Sequence, residues 1–300
     1  MIERFVLKEL PVAVDVETKA VLKQLAQAHR YLAELKGVSK TIPNQGILIN
    51  TLPLLEAKDS SAIENIITTH DELYKESLFG EFYSNASAKE VQNYSRALRS
   101  GYETVLQTGL LTNRHILDIQ ECIKQNRAGF RTQSGTELVN DRTGRILNIL
   151  YLVNKGLLDI PVLYLSRYII RHKGDYYRLL QDVRDTGNWE AWILFMLAGI
   201  EQTAQETIDL VTHIRELMQD YKKRIRDDFK FYSQDLLNNL FSHPYTKIEF
   251  LEEDLQIHRQ TASKYLDDLV HTGFLRLEKI GKHNFYINEP LFNLFTKWES

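Results

Sequence analysis

The side chains able to do chemistry in this chain rule out several familiar arrangements. Its nine histidines are scattered, no two at i and i+4, so the helix-face spacing that holds zinc in H-E-x-x-H does not occur. Neither G-x-S-x-G nor G-x-x-x-x-G-K-[ST] is present, which removes a nucleophile elbow and a phosphate loop. Cys122 is the single cysteine, so an intramolecular disulfide or a cysteine-held metal cluster cannot form, in keeping with a reducing compartment. The "GNWEAW" stretch has too little glycine to cradle phosphate; Trp189 and Trp192, three apart, read as core anchors of a helix. Two short stretches remain. Ser60-Ser61-Ala62-Ile63-Glu64-Asn65 sets a carboxylate in the first turns of an expected helix, where the helix dipole favours it. At Arg142-Thr143-Gly144-Arg145 the turn-rich "TQSGTELVND" becomes, without a linker, the apolar helix "ILNILYLV". Asn140 or Asp141 can cap that helix.

The elements that must position these residues are helical through most of the chain. "DVETKAVLKQLAQAHRYLAELKG" spaces Val16, Val21, Leu22, Leu25, Ala28 and Leu32 as one amphipathic face with a stop at Gly37. "ILINTLPLLEAKDSSAIENIITTHDELY" reads as two helices broken around "KDSS", the second capped by Ser60 or Ser61. After a polar loop near "EFYSNASA", two further helices follow, "KEVQNYSRALRSGYETVLQTG" and "TNRHILDIQECIKQN". Beyond the Arg142 junction, "RILNILYLVNKG", "IPVLYLSRYIIRHKGDYYRLLQDVRDTG" and "NWEAWILFMLAGIEQTAQETIDLVTHIRELMQDYKKRIRDDF" continue the helical pattern. The last quarter differs. "SQDLLNNLFSHP" ends at Pro244, "KIEFLEEDLQI" and "HRQTASKYLDDLVHTG" form a helix pair, and "FLRLEKIGKHNFYIN" alternates around Gly281 like a hairpin, the winged-helix order. The second helix of that pair would present His258, Arg259, Gln260, Thr261, Ser263 and Lys264 to phosphates and base edges. Its acidic neighbour, with Glu249, Glu252, Glu253 and Asp254, would repel a phosphate backbone.

Composition bounds the rest. Three hundred residues, 43% hydrophobic and 26% charged, suit a globular chain with one large core and a satellite domain. Net charge is −3, so no bulk basic field draws the chain to nucleic acid or membrane. "MIERFVLKELPVAVDVE" lacks the basic-then-apolar order of a secretion signal, and no apolar run is long enough to span a bilayer; the expected location is the cytoplasm.

"IPNQGILINTLPLLEAKDSSAIENI", the run from Arg142 to Leu197 and the C-terminal winged-helix stretch resemble the Fic family of protein adenylyltransferases, over almost the whole chain. The family transfers AMP from ATP to a hydroxyl side chain of a target protein, with magnesium. Its motif, H-P-F-x-[DE]-G-N-G-R-x-x-R, supplies a histidine base, an acidic magnesium ligand, backbone amides for phosphate oxygens at a helix start and arginines for the remaining phosphate charge. Here Arg142-Thr143-Gly144-Arg145 matches the R-x-x-R tail and the rest is missing. The one His-Pro dipeptide, His243-Pro244, has no glycine-rich follower. The left flank, "FRTQSGTELVNDRTG", resembles the lead-in to the family's flap, with Ser134 where proline is common. An internal deletion joined at the Arg-Thr-Gly triplet accounts for both flanks.

The resemblance implies a mainly α, internally truncated Fic-like helical core with a C-terminal winged-helix domain carrying a small β-hairpin. The expected divisions are an N-terminal helical region with an inhibitory helix (1–88), the truncated core (89–225) and the winged helix (226–300). It implies nucleotide binding at Arg142, Thr143, Gly144, Arg145 and Tyr177, with no catalytic residue and no metal ligand retained. Ser60-x-x-x-Glu64-Asn65 matches the inhibitory motif [ST]-x-x-x-E-[GN], whose glutamate pairs with the last arginine; by position that pair is Glu64 with Arg145. Tyr177 reads equally as part of a buried aromatic stripe with Tyr164, Tyr168 and Tyr176. ATP and an unidentified target protein are the implied partners, with a homodimer as a further candidate. The alternative function is a non-catalytic regulator that uses Arg259, Gln260, Thr261 and Lys264 on DNA, or the same domain on a protein. Deleting core helices should also uncover apolar residues such as Leu147, Ile149, Leu150 and Leu152.

Overall fold

The computed structural model describes residues 14–79, 85–127, 129–130, 142–280 and 283–297. The flap-like stretch 131–141, with Ser134 and the capping candidates Asn140 and Asp141, lies outside them, as does the hairpin tip at Gly281. Among the described residues the chain is mostly helical with a small antiparallel sheet, as the sequence implied. No described helix is long and apolar enough to cross a membrane.

The chain divides into two compact units, residues 1–36 with 52–207, and residues 37–51 with 208–300. The first contains most of α1 (Lys19–Ser39), most of α2 (Gly46–Ile63), α3 (His70–Phe79), α4 (Ala86–Thr108), α5 (Asn113–Lys124), α6 (Arg142–Asn154), α7 (Leu165–Arg171), α8 (Lys173–Thr186) and the front half of α9 (Trp189–Asp228). Several ends are fixed as their sequences demand. Asn85 and Thr112 accept backbone N–H groups at the starts of α4 and α5, and Gly109 and Gln125 close them in the left-handed conformation. α1 runs two residues past its expected stop at Gly37. Val21, Ala28 and Leu32 are buried, but Leu22 and Leu25 are exposed, so its apolar face is narrower than the spacing suggested.

The break expected around "KDSS" is absent: α2 continues through it to Ile63. The chain leaves the helix at Asn65, whose φ of 62° is left-handed. Ile66 N–H reaches back to Ser61 O and Asn65 N–H to Ala62 O, the paired bonds of a Schellman ending. α3 then starts behind a Thr69/Glu72 capping box, Glu72 N–H donating to Thr69 Oγ1 and Thr69 N–H to Glu72 Oε2. Glu64 therefore sits at the C-terminal end of a helix. The dipole disfavours a carboxylate there, so another interaction must hold it.

α6 packs against α4 and α5. Gly101 on α4 makes the close approach: a Cβ there would come within 2.6 Å of Leu150 Cδ1 and 3.2 Å of Ile119 Cδ1. Ile149 and Leu150 are consequently buried, against the expectation that truncation uncovers them, while Leu147 and Leu152 are half-buried. The apolar surface left open lies elsewhere. Residues 191–198 at the front of α9 are all half-buried, as are Trp189 and Trp192, so these tryptophans are not the fully enclosed anchors expected.

In the second unit, α10 (Gln234–Ser242), capped by Ser233, ends where His243 turns extended before Pro244. Then come β1 (Tyr245–Thr246), α11 (Ile248–Leu255), α12 (Arg259–His271), β2 (Arg276–Ile280), β3 (His283–Ile287) and α13 (Glu289–Lys297). The hairpin β2–β3 gains β1 as a third strand in the order β1-β3-β2, with Leu277 and Thr246 both opposite Tyr286. Tyr221 from α9 is buried here and donates to Phe274 O at 2.8 Å. Asn288 donates to Leu240 O and accepts from Leu291 N–H, so one amide joins α10 to the start of α13.

Candidate functional site

The site forms where the C-terminal end of α2 meets the first turn of α6. Arg142 and Arg145, three residues apart, share a face of α6 and are 1% and 2% exposed. Cations at a helix start oppose its dipole, and burial makes an unpaired one costly. Each is answered by a glutamate. Arg145 Nη2 donates to Glu64 Oε1 at 2.9 Å and to Ser60 O at 3.0 Å, and Nε donates to Ser60 Oγ at 2.8 Å. Arg142 is bound to Glu90 on α4.

The Glu64–Arg145 contact that the resemblance implied is therefore present, through one carboxylate oxygen. It is not bidentate because the guanidinium also satisfies Ser60 O, a carbonyl freed when Glu64 N–H turns to Ser61 O. Arg145 Nη1 makes no hydrogen bond among the described residues. Burial acts to lower the Arg145 pKa, but Tyr94, Glu64 and Tyr176 outweigh it and the group stands above its ordinary value. It remains a cation. Thr143 and Gly144 lie half-buried between the two arginines. Tyr177 on α8 is 42% exposed, its ring edge-on to Tyr176 at 5.4 Å; it is not part of the buried aromatic set, which Tyr164, Tyr168 and Tyr176 do form.

Sequence reading missed the groups behind this contact. Glu56, two turns earlier on α2, is 2% exposed and accepts from Ser166 N–H at 2.9 Å, Ser166 Oγ at 2.5 Å and Tyr94 OH at 3.1 Å. Burial pushes its carboxyl up to about 7, against the Ser166 and Tyr94 hydrogen bonds and the Arg145 charge. Burial, then the Glu56 charge, hold the Tyr94 hydroxyl well above its ordinary value, so it stays a donor. The last turns of α2 are tied on several sides: Tyr164 OH donates to Asp59 Oδ2 and Lys173 Nζ to Asn65 Oδ1. One charged residue inside the apolar run "LPLLEA" was the legible sign of Glu56. Nothing in the spacing marked Glu90.

The acidic magnesium residue of the motif is missing from the sequence, and among the described residues no group of three or more His, Cys, Asp or Glu could hold a metal ion. Glu64 and Glu90 are each taken by a guanidinium. Among the described residues, the carboxylates at this site do not fit magnesium.

The second candidate surface is the start of α12. Arg259, Gln260 and Lys264 are exposed and Thr261 is half-buried. Arg259 turns to its acidic neighbour, Nη1 lying 2.8 Å from Glu249 and 3.7 Å from Glu252.

The first unit is thus a helical body in which two arginines share one helix start, and the second is a unit of helices and a small sheet. A family model described as "Fic/DOC family N-terminal" matches residues 22–103, and one described as "Protein adenylyltransferase SoFic-like, C-terminal domain" matches residues 217–291. The chain is a member of the Fic family and adenylyltransferase-like. Its fold is similar to the crystal structure of a Fic family protein from Desulfovibrio desulfuricans G20, with a TM-score of 0.52 and 13% identity over 93% of this chain and 98% of that one.

Proposed function

We propose that this chain is a Fic-type AMP transferase by descent that is closed on itself and severely impaired in transfer. The observation that carries the reading is charge pairing: both arginines that would meet nucleotide phosphates are buried against glutamates of the same chain. Glu64 is the closing group, occupying Arg145 where a phosphate oxygen would otherwise bind. In this reading Arg142 and Arg145 flank Thr143 and Gly144 at the phosphate end, and Tyr177 lies toward the adenosine. The sequence supplies no motif histidine to take a proton from a target hydroxyl, and a general base contributes ~10²–10⁴-fold. Loss of one oxyanion-type donor removes about 10²–10³-fold more.

Incubating the purified chain with labelled ATP, magnesium and candidate target proteins, beside a version with the motif segment restored, tests this. Labelling is expected only in the restored chain. Equal labelling by both would overturn the reading. The regulator alternative assigns the C-terminal unit a winged-helix role, with Arg259, Gln260, Thr261 and Lys264 on DNA. The Arg259–Glu249 bridge favours a protein partner over DNA, and salt-dependent binding to a defined duplex would reverse that order.

A further inference from the structure

The second compact unit holds a small pocket that the proposed transferase site does not use; its lining comes from residues 37–51 and 208–300 alone among the described residues. Its floor is apolar. Met218 on α9 and Leu237 on α10 are buried there, and Pro43, from the turn after α1, adds a third apolar group. The polar lining is different in kind. Arg215, Gln219 and Lys222 follow Met218's face of α9 at i, i+4 and i+7, and Gln234 faces them from the start of α10. No carboxylate is among the described lining residues. Arg215 Nη1 donates to the uncharged Thr41 Oγ1 at 3.2 Å, and Lys222 is exposed with no ion-pair partner among the described residues. Arg224, on another face of the same helix, is by contrast answered by Asp220 at 3.0 Å.

Size and charge together select an occupant. The pocket has a volume of about 130 Å³, well short of the roughly 300 Å³ at which small-molecule and cofactor sites begin. It matches instead a cavity of about 150 Å³ that takes one benzene, and so admits a single side chain of leucine size. We propose that this pocket binds a segment of another protein in which one apolar side chain sits among acidic residues. The apolar side chain covers Met218 and Leu237, and Met218 can adjust to its shape. Arg215 and Lys222 stand two turns apart, about 10 Å along the helix, a span that about three residues of an extended segment cover. Carboxylates on either side of the anchor can therefore meet both cations. Gln219 and Gln234 each donate and accept, which suits the backbone of such a segment. A phosphate backbone would satisfy the cations but leave the apolar floor uncovered, so the pocket favours protein over nucleic acid.

The probe is a dye-labelled peptide with blocked ends and one leucine between two pairs of glutamates, titrated with the full chain and followed by fluorescence anisotropy. Saturable binding that weakens with salt is expected. Replacing the leucine of the peptide by serine should weaken it at least about tenfold, the value of burying such a side chain. In the chain, Lys222→Glu sets a like charge against the peptide and should also cost at least about tenfold; Lys222 is exposed, so the fold does not depend on it. Lys223→Glu makes the same change of charge one residue further round the helix, outside the pocket lining, and should leave binding within about twofold. No saturation with the unaltered chain, equal binding of the leucine and serine peptides, or equal losses in Lys222→Glu and Lys223→Glu would each overturn the proposal. So would a DNA duplex that displaces the labelled peptide as effectively as unlabelled peptide does, since the cations would then serve a phosphate backbone.

Discussion

Two arginines meet glutamates in this molecule under opposite conditions. Arg145 and Glu64 are 2% and 10% exposed, whereas Arg259 and Glu249 are 62% and 42% exposed. The bond lengths are nearly equal, 2.9 and 2.8 Å, so geometry does not separate them. Solvent does. Around Arg259 water can replace the carboxylate at little cost and salt screens the attraction. Around Arg145 nothing replaces it, and a missing partner leaves an uncompensated charge. The buried pair can therefore hold a site closed, while the exposed one sets only a local preference for what approaches α12.

The largest effects should come from breaking the buried side of this comparison. Arg145→Ala removes the group that joins Glu64, Ser60 O and Ser60 Oγ, and should lower stability by about 3–5 kcal/mol; a loss of less than about 1 kcal/mol in urea unfolding would show that the pair is far more hydrated than its burial implies. Next in size is the pH dependence from Glu56. Its folded carboxyl stands at about 7 and the ordinary value is 4.5, so the native state binds the proton more tightly than the unfolded chain. That stabilisation is complete below about 4.5 and is lost as pH rises through about 7, a change on the order of 3 kcal/mol. Midpoints compared between the unaltered chain and Glu56→Gln should differ in slope across that window, and parallel curves would remove Glu56 as the titrating group. Smaller again is Glu64→Ala, at about 2 kcal/mol, since Arg145 keeps Ser60 O and Ser60 Oγ. The same variant should bind ATP more tightly than the unaltered chain, measurable by calorimetry.

What the sequence revealed follows the same division between local and assembled interactions. Helix starts at Thr112 and Ser233 and the stop at Gly109 were legible because one side chain or one left-handed residue decides each. The Glu64–Arg145 pairing was legible only through family spacing, because 81 residues separate the partners and no local rule joins them. The same cause hid Glu90 and Ser166, which reach Arg142 and Glu56 across 52 and 110 residues. α2 was misread because serines at "KDSS" favour caps, yet Ser60 and Ser61 are fully buried inside the helix; tertiary packing overrode their local preference. The true end carried its own sign in Asn65 and the Thr69/Glu72 box, one turn later. Trp189 and Trp192 mislead for the reverse reason: spacing identifies an apolar face but not whether the chain supplies what would cover it.

The smallest effect is the sharpest control on the comparison. Arg259→Ala breaks a bridge as short as that of Arg145, yet it should change stability by no more than about 0–1 kcal/mol, and less in high salt. Burial raises the Glu249 pKa, but its bonds to Arg259 outweigh it and hold the carboxyl below its ordinary value. The small contribution it makes is present above the ordinary range and fades as pH falls through the lowered value. Urea midpoints for Arg145→Ala and Arg259→Ala at low and high salt give the contrast directly. If both lost comparable stability, and both losses shrank with salt, the two bridges would belong to one solvated class. The buried pair could then not serve as a closing contact, since a phosphate oxygen would displace Glu64 as easily as water does at Arg259.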